Sequence, residues 1–138
     1  MAQYAQEKSR PEIILLVEDE DPFRHLVRAI LQSQGYEVLE APNGNHALRI
    51  ARQHSGDIHL LISDMVIPEI SAPELARNLQ ATHPEMKVLL ISKYPQGSVT
   101  LDRGWRFLRK PCAPDNLLDH VRELLSEPPA PRAGAMVS

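Results

Sequence analysis

Five short strand-like runs, Ile13 to Val17, Tyr36 to Ala41, Ile58 to Ile62, Lys87 to Ile91 and Trp105 to Arg109, alternate along this chain with stretches patterned at helical spacing. Runs that are short and largely apolar on both faces suit strands covered on both sides, the setting of parallel sheets with helices on each face. Strand alternating with helix through the whole chain predicts an α/β fold. Its sheet is five-stranded, parallel and doubly wound, with right-handed βαβ crossovers.

The helical stretches carry their own signals. Phe23, Leu26, Val27, Ile30 and Leu31 fall on one helical face, with Asp21 as the expected N-cap, Pro22 at the first helical position and Gly35 closing the turn. The turn Pro42-Asn43-Gly44 precedes a helix whose inner face is Ala47, Leu48 and Ala51, and Gly56 ends that unit. Ser71 with Glu74 three residues on forms a capping box for a helix through Leu75 and Leu79. Pro114 opens a last helix with Leu117, Val121, Leu124 and Leu125 on one side. Between Tyr94 and Leu101 the chain holds breakers and β-branched residues, enough for at most two helical turns.

A single domain over residues 11–126 accommodates this pattern, between a polar extension (1–10) and a flexible Pro-rich tail (127–138). The start has no apolar segment of signal-peptide type, and no run is long enough to cross a membrane. The expected location is the cytoplasm. One cysteine, Cys112, excludes an internal disulfide and reads as a small hydrophobe. A net charge of −3, with the basic residues scattered, argues against direct nucleic-acid binding. The six histidines show no metal-ligand spacing and read as surface or capping residues.

Chemistry gathers where the runs stop. Glu18 and Asp19 follow the first, Asp64 the third, Ser92 the fourth and Lys110 the fifth. In a parallel sheet these positions share the carboxyl edge, where open α/β folds bind ligands. The acidic turn 18–21 taken alone fits helix capping and solvation as well as it fits a metal. Asp64 tips the balance, because a carboxylate closing an apolar strand needs compensation that Met65, Val66 and Ile67 do not supply. A divalent cation shared with Glu18 and Asp19 supplies it, and Mg²⁺ typically uses one or two carboxylates, waters and phosphate oxygens. An EF-hand reading fails for want of ligands at Phe23 and a glycine at Arg24. Lys110 and Ser92 add a cation and a hydroxyl for phosphoryl oxygens, and Pro111 favours an extended Lys110.

With these residues in place, the chain resembles the receiver domain of two-component response regulators across residues 11–126. The resemblance rests on IILLVEDED at 13–21, LLISDMVIPEISAPEL at 60–75, KVLLISKYP at 87–95 and FLRKP at 107–111, in that order. The piece at 60–75, with Met65 and Pro73-Glu74-Leu75, is similar in style to receivers of hybrid sensor histidine kinases. The resemblance implies a flavodoxin-like (βα)5 fold and a phospho-accepting role in a phosphorelay rather than an enzyme's. Asp64 would be the phospho-acceptor, Asp19 would bind Mg²⁺ directly and Glu18 mainly through water, with the Met65 carbonyl completing the protein's share, and Ser92 and Lys110 would hold the phosphoryl oxygens. Ser92 and Phe107 would form the switch. The implied partner is a sensor histidine kinase or a histidine phosphotransfer domain, with a phosphorylation-dependent protein partner or a weak homodimer as output.

Some positions depart from the family pattern. Glu69 and Ala72 stand where many relatives have glycine, and Lys93 stands where a small residue is common. Lys93 either adds a second cation or obstructs the donor. Val66 and Tyr94 are bulky at the positions governing water access, which implies slow self-hydrolysis. Ser92 and Lys110 lie 18 residues apart, shorter than the family's usual interval, so the fourth helix is expected to be short. Two other functions fit parts of the pattern: a receiver-like interaction module that is never phosphorylated, and an aspartate-nucleophile phosphohydrolase. The second wants a carboxylate where Val66 stands.

Overall fold

The computed structural model describes residues 10–93 and 104–128. Tyr94, the segment expected to hold a short fourth helix, and most of both terminal extensions lie outside the described residues. Among the described residues the elements are β1 (Ile13–Val17), α1 (Asp21–Ser33), β2 (Glu37–Ala41), α2 (Gly44–Gln53), β3 (Leu60–Asp64), α3 (Ala72–Gln80), β4 (Lys87–Ser92), β5 (Trp105–Arg109) and α4 (Pro114–Ser126). All strand pairs are parallel and the order is β2-β1-β3-β4-β5. This is the flavodoxin-like order, whose topological switch point lies between β1 and β3.

Alternation along the strands builds two cores. Ile13, Leu15, Val17, Leu61, Val88 and Leu90 face α2 and α3, where Ala47, Ala51, Leu75 and Leu79 meet them. Ile14, Leu16, Leu60, Ile62, Leu89 and Ile91 face α1 and α4, against Val27, Leu31, Leu117, Val121 and Leu124. Each fully buried Leu or Ile contributes roughly 1.5–3 kcal/mol of transfer free energy. That is why the three central strands, buried along almost their whole length, hold the carboxyl edge rigid.

Three local expectations need correction. Asp21 is the first residue of α1 rather than its N-cap; Glu20 holds the cap position without a side-chain bond, and Asp21 pairs with Arg24. Leu26 is 56% exposed, because α1 buries a narrow stripe centred on Val27 and Leu31. The third strand runs two residues later than its apolar run, at Leu60–Asp64. Ile58 is buried ahead of it, and the His59 imidazole takes the Ile13 N–H at 2.9 Å, so that histidine is a built part of the sheet edge.

Other local signals hold. Ser71 caps α3 by accepting from Glu74 N at 3.2 Å, and Asn43, expected as a turn residue, is in addition the cap of α2, accepting from His46 N at 2.8 Å. Gly35 takes a φ of 92° just past α1. Glu69, at a φ of 84°, occupies the left-handed region that glycine adopts freely and other residues at a cost of about 1–2 kcal/mol.

Candidate functional site

The register brings the strand ends together. Val17 pairs with Ser63, so Glu18 and Asp19, the next two residues, emerge beside Asp64. Asp64 pairs with Ile91 and Ser92 with Arg109. Backbone bonds continue the ladder past the strand ends, from Met65 N to Ile91 O at 2.7 Å and from Lys110 N to Ser92 O at 2.7 Å. The Lys110–Pro111 bond is cis.

Four charged side chains meet at that edge. Lys110 Nζ lies 3.0 Å from Asp64 Oδ1 and 3.3 Å from Glu18 Oε1, and 4.4 Å from the centre of the Phe23 ring. Glu18 accepts from Glu20 N at 3.0 Å through its other oxygen. Glu18, Asp19 and Asp64 each offer a carboxylate oxygen within 4.8 Å of the others. Three carboxylates therefore stand around one contacting ammonium, a donor set of hard oxygens short of positive charge. A divalent cation of the Mg²⁺ type fits that deficit and that chemistry.

The electrostatics of the site agree. Burial pushes the Glu18 carboxyl up, and the Asp64 charge adds to it; the Glu20 N–H and Lys110 offset only part. Burial alone would lower Lys110, but the hydrogen bond and charge of Asp64, followed by those of Glu18, hold its ammonium above the ordinary lysine value. Lys110 is thus a fixed cation, whereas ionised Glu18 gains from any further positive charge.

Glu18, Asp19, Asp64, Val66, Ser92, Lys93 and Lys110 line one cleft of about 310 Å³, together with Glu20. Ser92 is buried, while Val66, at 66% exposure, stands at the mouth. Met65 directly follows β3. Phe107 lies outside the cleft, half-buried on the sheet face that also carries Trp105 and opposite Leu90 in register. Larger clefts occur at the amino end of the sheet and between α2 and α3, so volume does not select the site; converging charge does.

Two contributors escaped the sequence reading. Phe23 packs against the core beneath α1 as its spacing predicts, and its ring also carries Lys110. Arg24 carried no motif, yet its guanidinium donates to the Glu18 carbonyl at 2.8 Å. Neither contact has a sequence signal: Lys110 is remote from Phe23 along the chain, and the Arg24 bond goes to a backbone carbonyl, which no side-chain pattern marks.

Comparison with known proteins agrees with this arrangement. A sequence profile described as the response regulator receiver domain matches residues 14–122. The chain is 38% identical over 118 residues to the sensor kinase CckA of Brucella abortus (strain 2308), covering 83% of this chain and 12% of that protein. It thus spans about an eighth of that kinase. The response regulator receiver protein CpdR of the same organism is 30% identical over 118 residues, covering 83% of this chain and 91% of that one. Among solved structures, the receiver domain of the hybrid histidine kinase CckA superposes with a TM-score of 0.74 at 38% identity, covering 83% of this chain and 99% of that one. The response regulator TrrA of Thermotoga maritima, solved in complex with Mg²⁺ and BeF, gives 0.71 at 31% identity, covering 82% and 98%. Strand order, the acidic edge and these matches agree: the chain belongs to the response regulator receiver domain family of two-component signalling.

Proposed function

We propose that Asp64 accepts a phosphoryl group from a phosphohistidine of a sensor histidine kinase or histidine phosphotransfer domain, and that the acyl phosphate changes an output surface through Ser92 and Phe107. The observation that carries this reading is the Asp64 carboxylate held 3.0 Å from Lys110 Nζ at the edge where Glu18 and Asp19 also converge. An Asp64 oxygen forms the new O–P bond as the P–N bond to imidazole breaks, and the imidazole leaves with its proton. Lys110 draws off charge from the phosphoryl oxygens, and Ser92 donates to them. Mg²⁺, held by the Glu18, Asp19 and Asp64 carboxylates and the Met65 carbonyl, would neutralise the charge shared by the two anionic reactants. Such transfer is mainly positioning and electrostatics.

Phosphorylation would replace one charge at Asp64 with roughly −2 and three acceptor oxygens. Ser92 then moves toward the phosphate, and half-buried Phe107, on the neighbouring strand, turns into the space. Val66 at the mouth restricts water and slows hydrolysis, while Lys93 beside it meets the incoming donor. The domain is residues 11–126. No described helix is long and apolar enough to cross a membrane.

The test incubates the chain with Mg²⁺ and acetyl phosphate and weighs the intact protein over time. One added phosphoryl group, absent in Asp64→Asn and in chelator and decaying over minutes or longer, is the expected result. No adduct under any condition would leave an interaction module. Donor turnover without an adduct would mean a phosphohydrolase.

A further inference from the structure

We infer that Arg24 is a positioning residue for the acidic pair Glu18 and Asp19, setting Mg²⁺ affinity without touching the ion; this rests on the Mg²⁺-dependent reading above. Arg24 lies in the first turn of α1, and its side chain is only 11% exposed. Every arm of its guanidinium is engaged. Nη1 donates to the Glu18 carbonyl at 2.8 Å, Nε to Glu40 Oε1 on β2 at 3.1 Å, and Nη2 meets Asp21 Oδ1 at 2.8 Å. Its own backbone N–H donates to Glu20 O at 2.9 Å.

These bonds grip the turn from Glu18 to Asp21 at several points and anchor it to β2. That turn carries four consecutive carboxylates, two of them the proposed ligands, and their mutual repulsion would open it. A planar guanidinium fork resists this in a way a single ammonium cannot, because its donors point in fixed directions. Partners behind the ligating groups typically control metal affinity by about 10–100-fold.

Arg28 supplies the internal comparison. It sits one turn on and pairs with the other oxygen of Glu40, with no bond to the Glu18–Asp21 turn among the described contacts. If Arg24 acted only through Glu40, the two arginines would have the same effect on Mg²⁺.

The test titrates the full chain with MgCl₂ by calorimetry, checking each variant's fold by circular dichroism. Arg24→Ala should weaken Mg²⁺ binding about 10-fold, Arg24→Lys should weaken it less, and Arg28→Ala should leave it unchanged. Folded Arg24→Ala binding Mg²⁺ as tightly as wild type overturns the proposal. If Arg24→Ala does not fold, Arg24→Lys decides, and wild-type affinity there overturns it equally. A wild-type chain that takes up no Mg²⁺ overturns both this and the phosphorylation reading. Wild type that binds Mg²⁺ and phosphorylates, beside an Arg24→Ala variant of equal affinity, overturns this one alone.

Discussion

Glu40 holds two arginines, Arg24 on one carboxylate oxygen and Arg28 on the other, at the boundary between β2 and α1. Burial pushes its carboxyl up, but the hydrogen bonds from Arg28 and Arg24, with their charges, outweigh that and bring it below its ordinary value of 4.5. An acid lowered in the folded state contributes stability that is complete above the unfolded value and is lost as pH falls through the folded one. Glu40→Gln should therefore cost about 1 kcal/mol at neutral pH, the scale of a partly exposed pair. The deficit should shrink below pH 4.5 and vanish once wild-type Glu40 is protonated. Urea unfolding across a pH series measures it, and a deficit that persists undiminished in acid would refute the charge origin. Residues at this scale were unequally legible. Asp64 and Lys110 announced themselves by ending apolar runs, where a charge demands a partner. Arg24 and Phe23 did not, since the bonds that matter for them cross from a helix to a strand end and leave no periodic trace.

Elements were read most safely where one physical signal dominates. The β5 run matches its strand end for end, and the cap Ser71 bonds as its chemistry requires. Boundaries slipped where a tertiary contact competes, as with His59 and the late start of β3. Gly44 is a further case: it read as a turn residue, whereas the structure also gives it a packing reason. A Cβ there would stand 1.9 Å from Ile70 Cγ2 and 3.4 Å from Ile70 Cβ, so α2 can begin where it does only because the β3–α3 loop lies against bare backbone. Gly44 N also faces Pro68 O at 3.5 Å. Ile70 is β-branched and cannot swing clear easily. Gly44→Ala should cost about 1–3 kcal/mol, the usual penalty of overpacking, and pairing it with Ile70→Ala should recover part of that loss. Thermal unfolding of the two single variants and the double reads the coupling. Additive losses would show that the clash is not the cause.

Across the whole molecule, the two ends of the sheet do different work. The carboxyl edge gathers charge for chemistry, whereas the amino edge secures the end of the last helix. Lys87, only 4% exposed at the start of β4, donates from Nζ to the carbonyls of Leu124 and Glu127 at 2.8 and 2.7 Å. Arg106 on β5 pairs with the carboxylates of Glu123 and Glu127 from the same side. Burial lowers the Lys87 ammonium, with Glu127 opposing it, so this lysine is a costly choice that the helix-end carbonyls make worthwhile. From Lys87 to Ser92 the strand covers roughly 16 Å at about 3.3 Å per residue, and rigid core fills the interval. Lys87→Met keeps the apolar stem and strips both carbonyls of their donor, which should cost about 1–3 kcal/mol. The same substitution should leave Mg²⁺ affinity and the rate of the proposed adduct formation at Asp64 unchanged in folded protein. Denaturant midpoints measured beside the mass assay make the comparison. A folded Lys87→Met that phosphorylates more slowly would mean that the two ends are mechanically coupled and that the anchor of the last helix belongs to the signalling device.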